Sequence, residues 1–324
     1  MKPVVLVPEI IARSGLDLLR DACDCRVPWE DDSALPNEAE LRKILYEAHA
    51  VIVRLFTIDE RDLQQAKNLR VIGKHGAGVD NIDCRAAAAR NIPVVYTPGS
   101  TVQAVAEHAL TLMLALARQL GPASAALSAG RFGERDLFKG VELGGKTLGL
   151  IGAGRIGSRL AQIAAGGLQM KVHAYDPQLD RATYAGPAVL EDSLEALLSR
   201  ADFLSLHVPL TAATRHLLNE SALKLCKRDC RIVNTSRGGV IDEAALAQAL
   251  RDGALGGAAL DVFEHEPPPT DHPLAGLPNV LLTPHIAGLT HQSQENTALQ
   301  VAQGVLDVLN GRAPGHVANP EVFP

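Results

Sequence analysis

The sequence predicts an α/β protein built from two doubly wound parallel-sheet domains. Two series of short β-branched runs, each alternating with helical stretches, carry most of that prediction, because parallel strands need crossover helices and are buried on both faces. A glycine-rich segment joins the first strand of the second series to a helix. The third observation is length, since 324 residues exceed what one core usually organises.

The first series comprises PVVLVPE from Pro3, CRVP from Cys25, AVIVRL from Ala50, RVIGKH from Arg70 and PVVYT from Pro93. An apolar segment follows from Thr101 to Leu120, with Ser100 or Thr101 placed to cap it and Gly121-Pro122 placed to stop it, so one buried helix is expected. Gln103, Glu107 and His108 near its start, and Arg118 at its end, argue against a membrane span. The second series predicts six strands: TLGLIG from Thr147, KVHAYD from Lys171, DFLSLHV from Asp202, CRIVNTS from Cys230, GAALDVF from Gly257 and NVLLTP from Asn279. A helical pattern returns from Thr290 to Leu309, and EPPPT, from Glu266, reads as a loop.

Composition narrows the function. Hydrophobic residues are 47%, charged residues 21% and the net charge is -6, which speaks against a disordered tail or a basic surface for nucleic acid. Short, interrupted apolar runs and an N-terminus without a signal-peptide pattern predict a cytoplasmic protein with no membrane partner. The five cysteines, Cys23, Cys25, Cys84, Cys226 and Cys230, lack paired metal-ligand spacing, so reduced thiols and no metal are expected.

The glycine-rich segment is G-A-G-R-I-G, from Gly152 to Gly157, directly after TLGLIG and before a helical stretch. Gly152 permits the tight turn, Gly154 lets backbone amides approach a pyrophosphate, and Gly157 lets helix and strand pack closely, which is the dinucleotide fingerprint of a Rossmann domain. Asp176 ends the next strand, 19 residues after Gly157, where a carboxylate accepts ribose hydroxyls and repels a 2'-phosphate. The expected cofactor is NAD.

Ligands of open parallel sheets bind beyond the carboxyl ends of the strands. Arg237 follows CRIVNTS, Glu266 lies past GAALDVF and His285 follows NVLLTP, so three loops can present them at one sheet edge. Hydride transfer between carbon atoms leaves a proton to exchange at the substrate oxygen, and histidine suits that exchange near neutral pH. A carboxylate on its other nitrogen, here Glu266, fixes the tautomer, while Arg237 offers a planar fork for a substrate carboxylate and a charge that polarises the reacting carbonyl. The expected substrate is a small 2-hydroxy or 2-oxo acid.

The chain resembles the D-isomer-specific 2-hydroxyacid dehydrogenase family, and within it the short-form D-3-phosphoglycerate dehydrogenase branch. HGAGVDNID from His75, KTLGLIGAGRIG, NTSRGGVIDEAAL, GAALDVFEHEP and LLTPHIAG carry the resemblance in that order. It implies catalytic Arg237, Glu266 and His285. It also implies an NAD site lined by Arg155, Ile156, Asp176, Val208, Thr235, Ser236, Asp261 and the segment from His285 to Gly288. The implied architecture is a Rossmann NAD-binding domain, residues 101–289, inserted in a flavodoxin-like substrate domain, residues 1–100 plus 290–324, with the active site in the cleft between them.

By the same resemblance, backbone amides of Gly76, Ala77 and Gly78 hold the substrate carboxylate with Arg237, and Arg54 matches an arginine that reaches a substrate phosphate. Two features depart from the pattern: Leu55 and Phe56 stand where a small hydroxyl residue follows the arginine, and Lys74-His75 precede the glycine loop. Arg54, Lys74 and His75 together predict a substrate with a second anionic group, a phosphate or a sulfonate. The regulatory domain of longer phosphoglycerate dehydrogenases has no counterpart within the 324 residues, and serine feedback through it is not expected. Alternative activities are hydroxypyruvate or glyoxylate reduction and sulfolactate oxidation; a different class is the NAD-sensing co-repressor, and Glu266 where formate dehydrogenases carry Gln argues against that relative. The apolar circumference of the Thr101–Leu120 segment, with the resemblance, predicts a homodimer.

Overall fold

The computed structural model describes residues 2–30 and 37–323. In chain order the elements are β1 Val4–Leu6, α1 Arg13–Ala22, β2 Asp24–Arg26, α2 Glu38–Glu47, β3 Ala50–Val53, α3 Glu60–Gln65, β4 Val71–Lys74, α4 Cys84–Ala89 and β5 Val94–Val95. Then follow α5 Val102–Ala117, α6 Leu120–Ser128, β6 Thr147–Ile151, α7 Arg155–Leu168, β7 Lys171–Tyr175, β8 Val189–Leu190, α8 Leu194–Arg200 and β9 Phe203–Leu206. The last are α9 Glu220–Leu223, β10 Arg231–Asn234, α10 Glu243–Arg251, β11 Gly257–Leu260, β12 Val280–Leu282 and α11 His291–Leu309. These elements form two compact units, Met1–Thr101 with Leu289–Pro324, and Val102–Gly288.

In the first unit the strands run in the order β2-β1-β3-β4-β5, all parallel, which is the flavodoxin-like order. Alternation along the strands divides the core. Val5, Ile52, Val71 and Val95 face α1 and α11, whereas Leu6, Val51, Ile72 and Val94 belong to the cluster on the other face. Local chemistry starts the helices: Asn37 with Glu40, and Asp59 with Asp62, form capping boxes at α2 and α3, and Thr290 accepts from Ser293 N–H at the head of α11.

The second unit holds a seven-stranded sheet ordered β12-β11-β10-β9-β6-β7-β8, again all parallel. Read from β8, this is the Rossmann order, with the strand direction of travel reversing between β6 and β9. One face packs Leu148, Leu150, Val172 and Val233 against α5 and α7; the other packs Ile151, Leu204, Leu206 and Ile232 with residues of α8 and α10.

Two elements differ from the sequence reading. The sheet gains β8, two residues at its edge. The expected single helix to Leu120 breaks instead after Ala117, where Gln119 adopts φ 50 and α6 leaves at 64°. Gly121-Pro122 therefore opens α6 rather than ending α5. Proline is tolerated there because first-turn N–H groups have no intrahelical acceptor. Among the described residues no single helix is long and apolar enough to cross a membrane.

Candidate active site

The carboxyl ends of the adjacent strands β10, β11 and β12 carry the central groups. Asn234, fully buried at the end of β10, builds the turn that presents Arg237: its side chain accepts from Ser236 N–H at 3.0 Å and Ser236 Oγ at 2.8 Å, and donates to Arg237 O at 2.9 Å. This residue was missed by sequence reasoning, although a buried asparagine leaving a strand is an Asx-turn signal. Gly238 comes next, and a Cβ there would lie 1.8 Å from the carbonyl carbon of Phe263. Only glycine lets the turn after β10 press its backbone against the segment after β11.

That segment carries Glu266. Its Oε2 meets His285 Nδ1 at 2.7 Å, and its Oε1 accepts from Phe263 N–H at 3.1 Å. Burial pushes the Glu266 carboxyl up, but the hydrogen bonds from His285 and Phe263 and the charges of His285 and Arg237 outweigh it and hold it below the usual carboxylate range. Arg237 Nη1 donates to Ser236 O at 2.7 Å. The three residues singled out for chemistry are thus gathered in one electrostatic group, with the His285 side chain 44% exposed and open to a substrate.

His285 sits at φ 53, a left-handed conformation that needs support. Asp261, fully buried at the end of β11, provides it: its carboxylate accepts from Ile286 N–H at 2.9 Å, Ala287 N–H at 2.8 Å and Thr283 Oγ1 at 2.5 Å. His108 Nε2 on α5 stands 3.5 Å from the same carboxylate. Desolvation raises the Asp261 carboxyl, and these donors together more than reverse it. Asp261, read from sequence as a cofactor contact, directs both carboxylate oxygens at the loop bearing His285. His108 and Thr283 enter this support without any sequence signal.

The glycine turn lies between β6 and α7. Gly152 has φ 92, and a Cβ on Gly157 would stand 2.2 Å from Gly152 O, so strand and helix touch only through glycine. A Cβ at Gly154 would meet nothing within 4 Å, so the head of α7 presents open backbone. Asp176, after β7, accepts from Ala153 N–H at 2.9 Å and Gln178 N–H at 3.0 Å, which holds its carboxylate beside the turn. Arg155 is exposed, Ile156 and Val208 are half-buried, and Ser236 is buried. Thr235 Oγ1 is buried without a partner. An anion-favouring helix head, a tethered carboxylate and an orphaned hydroxyl fit a dinucleotide.

In the first unit, loops after β3 and β4 hold the other sequence candidates. Arg54 Nη1 donates to Ile10 O at 2.9 Å, while Glu9 accepts from the backbone N–H of Arg54 at 2.6 Å, Leu55 at 2.8 Å and Phe56 at 3.0 Å. Lys74 is buried, and its ammonium donates to Arg54 O and to Asn81 Oδ1, the latter at 2.5 Å. Lys74, read from sequence as a cation for substrate, thus already meets a carbonyl and an amide oxygen of the neighbouring loops. His75 is buried too, and desolvation, with the nearby charge of Arg54, holds it down to about 4, so it is a neutral ring rather than a cation. Gly76, at φ 138 and one of the expected trio of amides, gives its N–H to Thr97 Oγ1 at 3.1 Å.

Residues 110–287 match the family model described as D-isomer specific 2-hydroxyacid dehydrogenase, NAD binding domain. The chain belongs to this family. It is 40% identical over 322 residues to the D-3-phosphoglycerate dehydrogenase of Methanocaldococcus jannaschii, an alignment covering 99% of this chain and 60% of that protein. This chain therefore spans about three fifths of the length of that curated relative. Among solved structures, the TT0316 protein from Thermus thermophilus superimposes with a TM-score of 0.89 at 37% identity, covering 97% of this chain and 99% of that one. D-lactate dehydrogenase from Aquifex aeolicus, complexed with NAD and lactic acid, gives a TM-score of 0.82 at 30% identity, covering 99% and 97%.

Proposed function

We propose that the chain is an NAD-dependent D-2-hydroxyacid dehydrogenase that interconverts a 3-phosphoglycerate-like acid and its 2-oxo counterpart. The observation that carries the reading is the 2.7 Å contact of His285 Nδ1 with Glu266 Oε2 within reach of the Arg237 charge. NAD, when bound, supplies the acceptor for the hydride that leaves C2. Arg237 grips the substrate carboxylate and polarises the C2 oxygen. With Nδ1–H given to Glu266, His285 keeps Nε2 to take the hydroxyl proton during oxidation and to return it during reduction. Glu266 holds the tautomer and stabilises the imidazolium that forms.

Asp176 supports a preference for NAD over NADP. The amides of Ala77 and Gly78 are proposed to contact the substrate carboxylate, and Arg54 the second anionic group. A homodimer is supported by the exposed apolar side chains Leu120, Leu127, Phe132 and Leu137, at 60%, 61%, 65% and 71% exposure. We also propose a cytoplasmic location. The test is a steady-state comparison of D-3-phosphoglycerate, D-glycerate, D-lactate and sulfolactate with both nicotinamide cofactors. The phosphorylated acid with NAD is expected to show the highest kcat/KM, and a preference for D-lactate or for NADP would overturn the corresponding part of the reading.

A further inference from the structure

Behind Glu266 lies a second layer of acid and histidine residues to which the proposed chemistry gives no part. Glu243, the first residue of α10, and Glu264 hold one another reciprocally: Glu243 N–H donates to Glu264 Oε1 at 3.1 Å, and Glu264 N–H donates to Glu243 Oε1 at 2.9 Å. The other oxygen of Glu243 accepts from His272 Nε2 at 2.9 Å, and the other oxygen of Glu264 meets His216 Nε2 at 3.0 Å. Glu243 and His272 are each 7% exposed. His272 Nδ1 faces Leu274 N–H at 3.4 Å, which leaves the ring proton on Nε2, pointed at Glu243.

The network ties three loops at one sheet edge. His216 belongs to the loop after β9 and gives its own N–H to Gly239 O at 2.8 Å. Glu243 closes the turn that begins at Arg237. Glu264 and His272 belong to the segment after β11, where His272 packs edge-on against Phe263 with ring centroids 5.4 Å apart. Phe263 N–H is the donor that holds Glu266. A buried carboxylate is costly unless its oxygens are met, and both oxygens of Glu243 are, by Glu264 N–H and His272, which fastens the turn bearing Arg237 to the segment bearing Phe263 and Glu266.

We propose that Glu243 and His272 are positioning residues that set the contact between Glu266 and His285. The inference rests on the proton-transfer role given to that pair. His272→Ala is expected to lower kcat about tenfold to a hundredfold, the scale of misplacing a catalytic group by about an ångström. NAD affinity should hold. The pH dependence of kcat should move toward that of Glu266→Gln, and the low-field proton resonance of the His285–Glu266 hydrogen bond should shift or broaden in the enzyme without cofactor. His272→Asn, which can still donate to Glu243, should restore much of each property, and it decides the matter if His272→Ala does not fold. A folded His272→Ala or Glu243→Gln with the normal resonance and normal pH profile overturns the proposal. If instead His285→Ala turns over normally, the proton-transfer reading fails, whatever the His272 variants do.

Discussion

The carboxyl edges of the two sheets use charge in opposite ways. In the Rossmann unit the side chains proposed for chemistry are held from behind by other residues: Asn234 sets Arg237, Phe263 N–H sets Glu266, and Asp261 sets the loop of His285. In the flavodoxin-like unit the charges near the glycine loop brace the loops themselves. Lys74 satisfies Arg54 O and Asn81, Glu9 gathers three consecutive amides, and His75 is a neutral buried ring. A charge at a strand end is thus a candidate for ligand only after the carbonyls and amides of its own loop have been satisfied.

The sharpest way to break this contrast is His285→Ala. Turnover is expected to fall about a hundredfold to ten-thousandfold while NAD binding, measured by fluorescence titration, changes little. A normal rate would remove His285 from the chemistry and leave the Rossmann edge no more reactive than the other.

A second test uses one histidine from each edge, His75 and His207. Burial holds His207 down to about 4, and His75, which also feels Arg54, is held to the same level. Between that value and the ordinary 6.5 the unfolded chain binds more protons than the folded one. Stability is therefore full above about pH 6.5 and is lost as the pH falls toward 4, by about 3 kcal/mol for each ring. Denaturant titrations from pH 7 to 4 should show that slope, and His75→Gln or His207→Gln should each flatten it; an unchanged slope in both variants would contradict the assignment.

The smallest effect separates Lys74 from Arg54. Lys74→Met should cost about 1–3 kcal/mol of stability by leaving loop oxygens unsatisfied in a buried place. Arg54→Ala should leave the melting temperature nearly unchanged and raise KM for D-3-phosphoglycerate, with little change for D-glycerate. If Lys74→Met kept its melting temperature and raised KM selectively, Lys74 would belong with the substrate groups after all.

The strands were legible because parallel strands buried on both faces leave unbroken β-branched runs, as in AVIV from Ala50 and RIVN from Arg231. β8 escaped because two residues at a sheet edge make no run, and the break at Gln119 escaped because apolar residues continue on both sides of it. Arg237, Glu266 and His285 could be read as residues beyond strand ends, since that needs only local sequence and strand identity. Their supports could not: Asp261 holds a loop from the neighbouring strand, His108 reaches it from α5, and His272 meets Glu243 from 29 residues away. Lys74 and His75 are buried, and no local pattern distinguishes a buried lysine at a strand end from a solvated one.

Glu9 grips the chain at Arg54, Leu55 and Phe56 through backbone amides alone, which every residue but proline possesses. The hold of Glu9 at position 55 is consequently independent of the side chain there, and Leu55 is displayed at 71% exposure. Position 55 behaves as an interchangeable fitting on a fixed mount. Substitutions there are expected to leave the grip of Glu9, and with it the melting temperature, nearly unchanged.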